Sequence, residues 1–181
     1  MEKQIYIVLT QTSSVLSRVI KLFTKAEFNH VSISLSENLE TMWSFGRRQP
    51  YNPFWAGFVM ESPRAGTFRR FPQTTAAVLA LDVSQETYEG IREMMEKMYL
   101  DRKKYGYNFV GLCCAAIGIC YSADHKYYCS EFARAVFEKF QIPGAEQFGK
   151  FVEPSHFLSF PGVVLVYQGL LRDYGDRAKD A

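Results

Sequence analysis

A chain of 181 residues without an internal repeat or a Gly/Ser-rich linker fits one domain spanning 1–181. With 48% hydrophobic and 15% aromatic residues it can bury a sizeable core, and a net charge of +2 excludes the strongly basic balance of a nucleic-acid-binding surface. Charge by itself names no partner.

The run "QIYIVLT" (4–10) is β-branched and partly alternating, which predicts a strand. Next, "SSVLSRVIKLFTK" (13–25) puts Val15, Leu16, Val19, Ile20 and Phe23 at helical spacing behind capping serines. In "HVSISLSENLETMWSFGRR", Val31, Ile33 and Leu35 alternate with His30, Ser32, Ser34 and Ser36, followed by a polar turn and a second strand-like run, which predicts a hairpin. The segment 46–76, rich in Pro, Gly, Arg and aromatics, reads as loops with short strands at "GFVMES" and "GTFRRF". "AAVLALDVS" (76–84) predicts a buried strand, and 84–100 a helix capped near Ser84. A helix over 129–140 and a strand at "PGVVLVYQG" (161–169) complete an α+β domain, a central antiparallel sheet with flanking helices.

The most apolar window, "NFVGLCCAAIGIC" (108–120), is short of the roughly twenty residues of a membrane-spanning helix, so it reads as a buried helix. No transmembrane segment is expected, while peripheral membrane contact stays open. The amino-terminal "MEKQIYIVLTQTSS" lacks the pattern of a secretion signal, which predicts a cytoplasmic location and thiols rather than disulfides. Cys120, His125 and Cys129 lack the paired spacing and fourth ligand of a structural zinc module, so no metal is expected.

Chemistry concentrates at "DHKYYCSEFARAVFEKF" (124–140). Phe132, Ala133, Val136, Phe137 and Phe140 form the apolar stripe, and Cys129 lies one turn earlier on the same side. At a helix start, unpaired N–H groups and the positive end of the helix dipole favour thiolate over thiol. Cys113, Cys114 and Cys120, inside the apolar window, are expected to be buried and inert. A buried cysteine is by itself more often packing than catalysis, so a base is needed. His30 is the best of three histidines: it begins a strand on the face of Ser32 and Ser34, where small side chains would let a helix end approach. His125 reads as a loop residue and His156 as a helix-start residue, both structural. For the group that orients the imidazole, hairpin register points to Ser44, while Glu37 and Glu40 are stronger orienters that lie nearer the turn.

"FNHVSISLS", "MWSFGRR" and "YYCSEFARAVF", in that order, resemble the permuted NlpC/P60 group of papain-like proteins, in its YiiX/YebB-like branch, over roughly residues 5–168. Papain-like enzymes ordinarily carry the Cys helix before the His strand, so the order here is what a circular permutation leaves. The resemblance implies Cys129 as nucleophile, His30 as general base and then acid, and a polar orienter on the strand of Ser44. Many members hold a carboxylate or amide at that third place, where this chain offers "MWSFG". Glu131 matches the branch's C-S-E signature and supports the helix start.

The implied activity is a thiol hydrolase that cleaves an amide bond, for instance in a cell-wall-derived peptide, through an acyl-enzyme and without a cofactor. Two alternatives stand beside it. One is a lipid-directed acyltransferase or hydrolase that uses the aromatics and arginines of 46–71. The other is a catalytically degenerate binding module.

Overall fold

The computed structural model describes residues 2–12 and 27–174. The helix expected at 13–25 lies outside them. Eight strands form one sheet: β1 (Glu2–Gln11), β2 (His30–Ser34), β3 (Met42–Gln49), β4 (Asn52–Glu61), β5 (Thr75–Ser84), β6 (Gly106–Tyr107), β7 (Lys126–Tyr127) and β8 (Val163–Leu170). Their spatial order is β7-β6-β4-β3-β2-β1-β5-β8. Neighbours pair antiparallel except β6 and β7, which run parallel. The domain is therefore α+β with a mixed sheet, where a purely antiparallel one was expected. Eighteen residues separate β6 from β7, enough for the crossover that parallel pairing requires and a hairpin does not.

β1 lies inside the sheet and is covered on both faces, which explains its nearly continuous apolar sequence. Ile5, Ile7 and Leu9 join Val31, Ile33, Phe45 and Phe58 on one face. That face is covered by Ile91, Met95 and Met98 of α2 (Gln85–Leu100) and by the stripe Phe132, Ala133, Val136 and Phe137 of α4 (Cys129–Lys139). Tyr6, Val8, Met42 and Val78 form a smaller core on the opposite face, closed by Phe68 of α1 (Gly66–Arg70), Leu171 and Tyr174. Ser84 caps α2 as expected, its hydroxyl accepting the Thr87 N–H at 3.0 Å.

Two segments depart from expectation. The strands expected at "MWSFGRR" and "GFVMES" are present but extend through the segment expected as loop into one long hairpin over 42–61, and "GTFRR" is the short helix α1 rather than a strand. The hairpin is hidden in the sequence because Gly46 and Gly57 pair mid-ladder. At Gly57 a Cβ would lie 2.4 Å from the Tyr105 carbonyl oxygen, so glycine is required by the close approach of the β6 edge.

The apolar window is the second departure. Its helix, α3 (Phe109–Ala116), is short and lies on the surface, with only Gly111 buried. Gly118, at φ 74°, accompanies the turn out of the helix, and 117–122 is exposed. Cys113 and Cys120 are accordingly exposed and Cys114 half-buried, not shielded as expected.

Candidate active site

His30 opens β2 on the face shared with Ser32 and Ser34, as its alternation predicts. The ladder pairs β2 with β3 at Ile33 opposite Trp43 and Ser34 opposite Met42. Continued, that register sets Ser32 beside Ser44 and His30 beside Gly46. Ser44 is fully buried and donates its hydroxyl to the Val31 carbonyl at 2.6 Å. It bridges two strands and does not orient His30. Glu37 and Glu40 stay exposed at the hairpin turn.

The carboxylate on His30 comes from one strand further away. Glu61, at the end of β4, accepts from His30 Nε2 at 2.9 Å and from the Ser32 hydroxyl at 2.9 Å, both through Oε2. Its side chain crosses a floor of small residues. At Gly46 a Cβ would stand 3.2 Å from Glu61 Oε1 and 3.4 Å from His30 Cε1. Ser32 is thus small because it serves Glu61. It does not make room for a helix, since α4 packs on the opposite face with Val31, Ile33 and Phe45. One signal in the sequence pointed to Glu61: it is the sole acidic residue between 46 and 72, closing a β-rich run.

Cys129 is the first residue of α4, with Tyr128 before it in extended conformation. Its Sγ lies 4.0 Å from the carbonyl oxygen of Asn29, the residue preceding His30, which brings the sulfur to the end of β2 where the imidazole begins and close enough to act on its protonation. The helix and His30 thus occupy different faces and meet at the end of β2, where its ladder with β3 has stopped. With Nε2 held by Glu61, Nδ1 is the ring nitrogen that remains for another partner.

Burial opposes a charge on His30, with side-chain exposure of 16% for His30 and 10% for Glu61. The Glu61 charge and the hydrogen bonds that the imidazolium donates outweigh it and raise the imidazole from 6.5 to about 10. Burial likewise opposes ionisation of Glu61, but the His30 charge and the bonds from His30 and Ser32 leave it below the ordinary carboxylate range. At neutral pH the arrangement is carboxylate, imidazolium and sulfur in line.

Glu131 is part of the support. Its Oε2 accepts the Tyr128 N–H at 3.2 Å and the Asn108 side-chain amide at 3.3 Å, while Asn108 Oδ1 caps α3 through the Gly111 N–H at 2.8 Å. Ser130 anchors the same turn by donating to the Val152 carbonyl at 2.5 Å. Tyr107 lies in the field of Cys129: burial pushes its phenol well up, the charges at Cys129, Tyr128 and Glu131 add to this, and Arg47 opposes it. The phenol is therefore neutral at neutral pH. His125 packs edge-on to Tyr105, and His156 Nδ1 accepts the Glu153 N–H at 3.2 Å, both away from the site.

No family model and no curated protein matches this chain. The candidate site therefore rests on its own geometry.

Gly46 offers a direct check of that geometry. Gly46→Ala is expected to leave the fold intact, push the Glu61 carboxylate off Nε2 and lower the His30 midpoint by about one pH unit in an NMR titration. A midpoint equal to that of the wild type would remove the close approach as a determinant of the pair.

Proposed function

We propose that this chain is a thiol hydrolase of papain-like type, in the permuted NlpC/P60 arrangement, cleaving an amide bond, for instance in a cell-wall-derived peptide, through an acyl-enzyme. The observation that supports it best is the Glu61–His30 pair at 2.9 Å on the strand end where the Cys129 sulfur, at a helix start, lies 4.0 Å from the carbonyl of the residue before His30. With His30 protonated at neutral pH, it holds the proton that the departing group will need, and His30 acts first as an acid. Cys129 Sγ attacks the carbonyl carbon, the carbon–sulfur bond forms, and the carbonyl electron pair moves to oxygen. First-turn N–H groups of α4 and the Tyr107 hydroxyl receive that oxyanion. Oxyanion-hole donors are worth about 2.7–4 kcal/mol each in other enzymes.

Collapse breaks the carbon–nitrogen bond, and the His30 proton passes to the departing amine. Neutral His30 then takes a proton from water as the water oxygen attacks the thioester, and carbon–sulfur cleavage restores thiolate and imidazolium. Glu61 holds the ring in one orientation throughout and offsets its charge.

A cavity of about 460 Å³ beside Glu61, lined in part by Arg47, Arg48, Trp55, Phe68, Arg102 and Lys103, favours as a second reading an acyl substrate that carries an anionic group, as a lipid headgroup does. The degenerate-module reading drew on the want of a strong third residue, and Glu61 weakens that motive.

p-Nitrophenyl acetate tests the shared acyl step. Acetylation confined to the tryptic peptide Tyr127–Arg134, absent in Cys129→Ser and slowed in His30→Ala, is the expected result by peptide mass spectrometry. Acetylation spread evenly over the four cysteines, or none at Cys129, would sink the reading.

A further inference from the structure

The most apolar window of the chain is on the surface, and it does not stand alone. Ile117 is 72% exposed, and Val110 and Ile119 more than half exposed, while the tip of the β3–β4 hairpin presents Tyr51 at 79%, Phe54 at 82% and Trp55 at 52%. The Phe54 and Phe109 ring centres are 6.4 Å apart, which joins hairpin tip and α3 into one patch. Contiguous exposure of this kind marks an interaction surface in a globular protein.

The charge around the patch identifies the occupant. Segments 46–72 and 101–128 together carry nine basic and three acidic residues, whereas the rest of the chain carries twelve basic and sixteen acidic. Of those three acids, Glu61 is committed to His30 and Asp101 is paired with Lys104 at 3.0 Å. The Arg70 guanidinium lies 3.9 Å from the centre of the Tyr51 ring, so a cation sits directly beside an exposed aromatic. The small overall charge therefore conceals a local excess of basic residues in the two segments that carry the apolar patch.

We propose that this side docks on an anionic phospholipid bilayer, with Phe54, Trp55, Ile117 and Ile119 entering the acyl boundary and the flanking arginines and lysines resting among headgroup phosphates. Aromatic tips beside cations match the interfacial zone of a bilayer, where apolar surface and anionic charge occur within a few ångströms of each other. No helix among the described residues is long and apolar enough to cross a membrane, so α3 lies along the surface. The patch also leads to the candidate site: the Phe109 ring centre is 4.6 Å from that of Tyr107, and Tyr107 pairs with Tyr127, two residues before Cys129. The docking itself requires no catalytic activity.

Co-sedimentation of the full chain with vesicles of phosphatidylcholine and phosphatidylglycerol at three to one, and with phosphatidylcholine alone, tests it. Binding to the anionic vesicles, weakened by high salt and accompanied by a blue shift of Trp55 fluorescence in a Trp43→Phe background, is expected. Phe54→Ser with Ile117→Ser is expected to lower the partition coefficient by about tenfold or more, with an unchanged circular dichroism spectrum. Arg70→Glu, which touches no apolar contact of the core, is expected to weaken binding to the anionic vesicles alone. Absence of binding to anionic vesicles overturns the proposal. So does binding unaffected by either substitution, or a concentration-dependent dimer that the serine pair disperses while vesicles go unbound.

Discussion

Alkylation of Cys129 by iodoacetamide at pH 6 is expected to fall by roughly one to two orders of magnitude in His30→Ala. The imidazole is the cation nearest the sulfur, and raised to about 10 it stays protonated across the whole neutral range. The decrease is smaller than the loss of thiolate alone implies, because a less acidic thiol forms a stronger nucleophile and recovers part of the rate. Trypsin releases Cys129 on Tyr127–Arg134, apart from the peptide that carries Cys113, Cys114 and Cys120, so its labelling is read separately from theirs. Since Cys113 and Cys120 are exposed, they will label too. The diagnostic is therefore the dependence on His30 and on acid pH, not silence at the other thiols. Equal alkylation of Cys129 at pH 6 in wild type and His30→Ala would mean that the imidazole does not activate the sulfur.

Glu61→Gln is expected to cost about 3 kcal/mol or more near pH 6, the range for removing one partner of a buried ion pair, because the amide cannot compensate the imidazolium. It is also expected to flatten the dependence of stability on pH. For a histidine raised from 6.5 to about 10 in the fold, the native state holds a proton that the unfolded chain has released between those values. The contribution is thus complete below about 6.5 and lost as pH rises through about 10. Glu61, lowered in the fold, contributes with the opposite sign: its share is present above the ordinary carboxylate value and lost as pH falls through the depressed one. Urea midpoints at pH 6, 8 and 10 should therefore decline steadily in the wild type and far less in Glu61→Gln. Parallel declines in both proteins would show that the pair does not govern alkaline stability.

Functionally, the two substitutions separate the roles along the line. His30 controls the charge available to sulfur, while Glu61 controls whether His30 retains its proton. The cavity beside Glu61 lies next to this pair, lined in part by Arg47, Arg48 and Trp55.

Local pattern was enough to read the strands β1, β2, β5 and β8, the helix capped by Ser84, the inward thiol at the start of α4 and the face of β2 that bears His30, because periodicity and caps act over a few residues. Glu131 was likewise legible as the support of its own helix start, three residues from the N–H that it accepts. The partner of His30 was not. Ser44 was the nearest polar side chain by hairpin register, but the residue that meets the ring lies two strands away and reaches it only because Ser32, Ser44 and Gly46 are small. Such a contact depends on which strands become neighbours, a non-local fact that no window of sequence contains. The apolar window 108–120 follows the same logic: its composition called for burial, whereas the tertiary structure had already filled both faces of the sheet with α2, α4 and the α1 cap and left α3 outside. Segregation of charge, invisible in a total of +2, was decided there as well, since only folding brings 46–72 and 101–128 to one side.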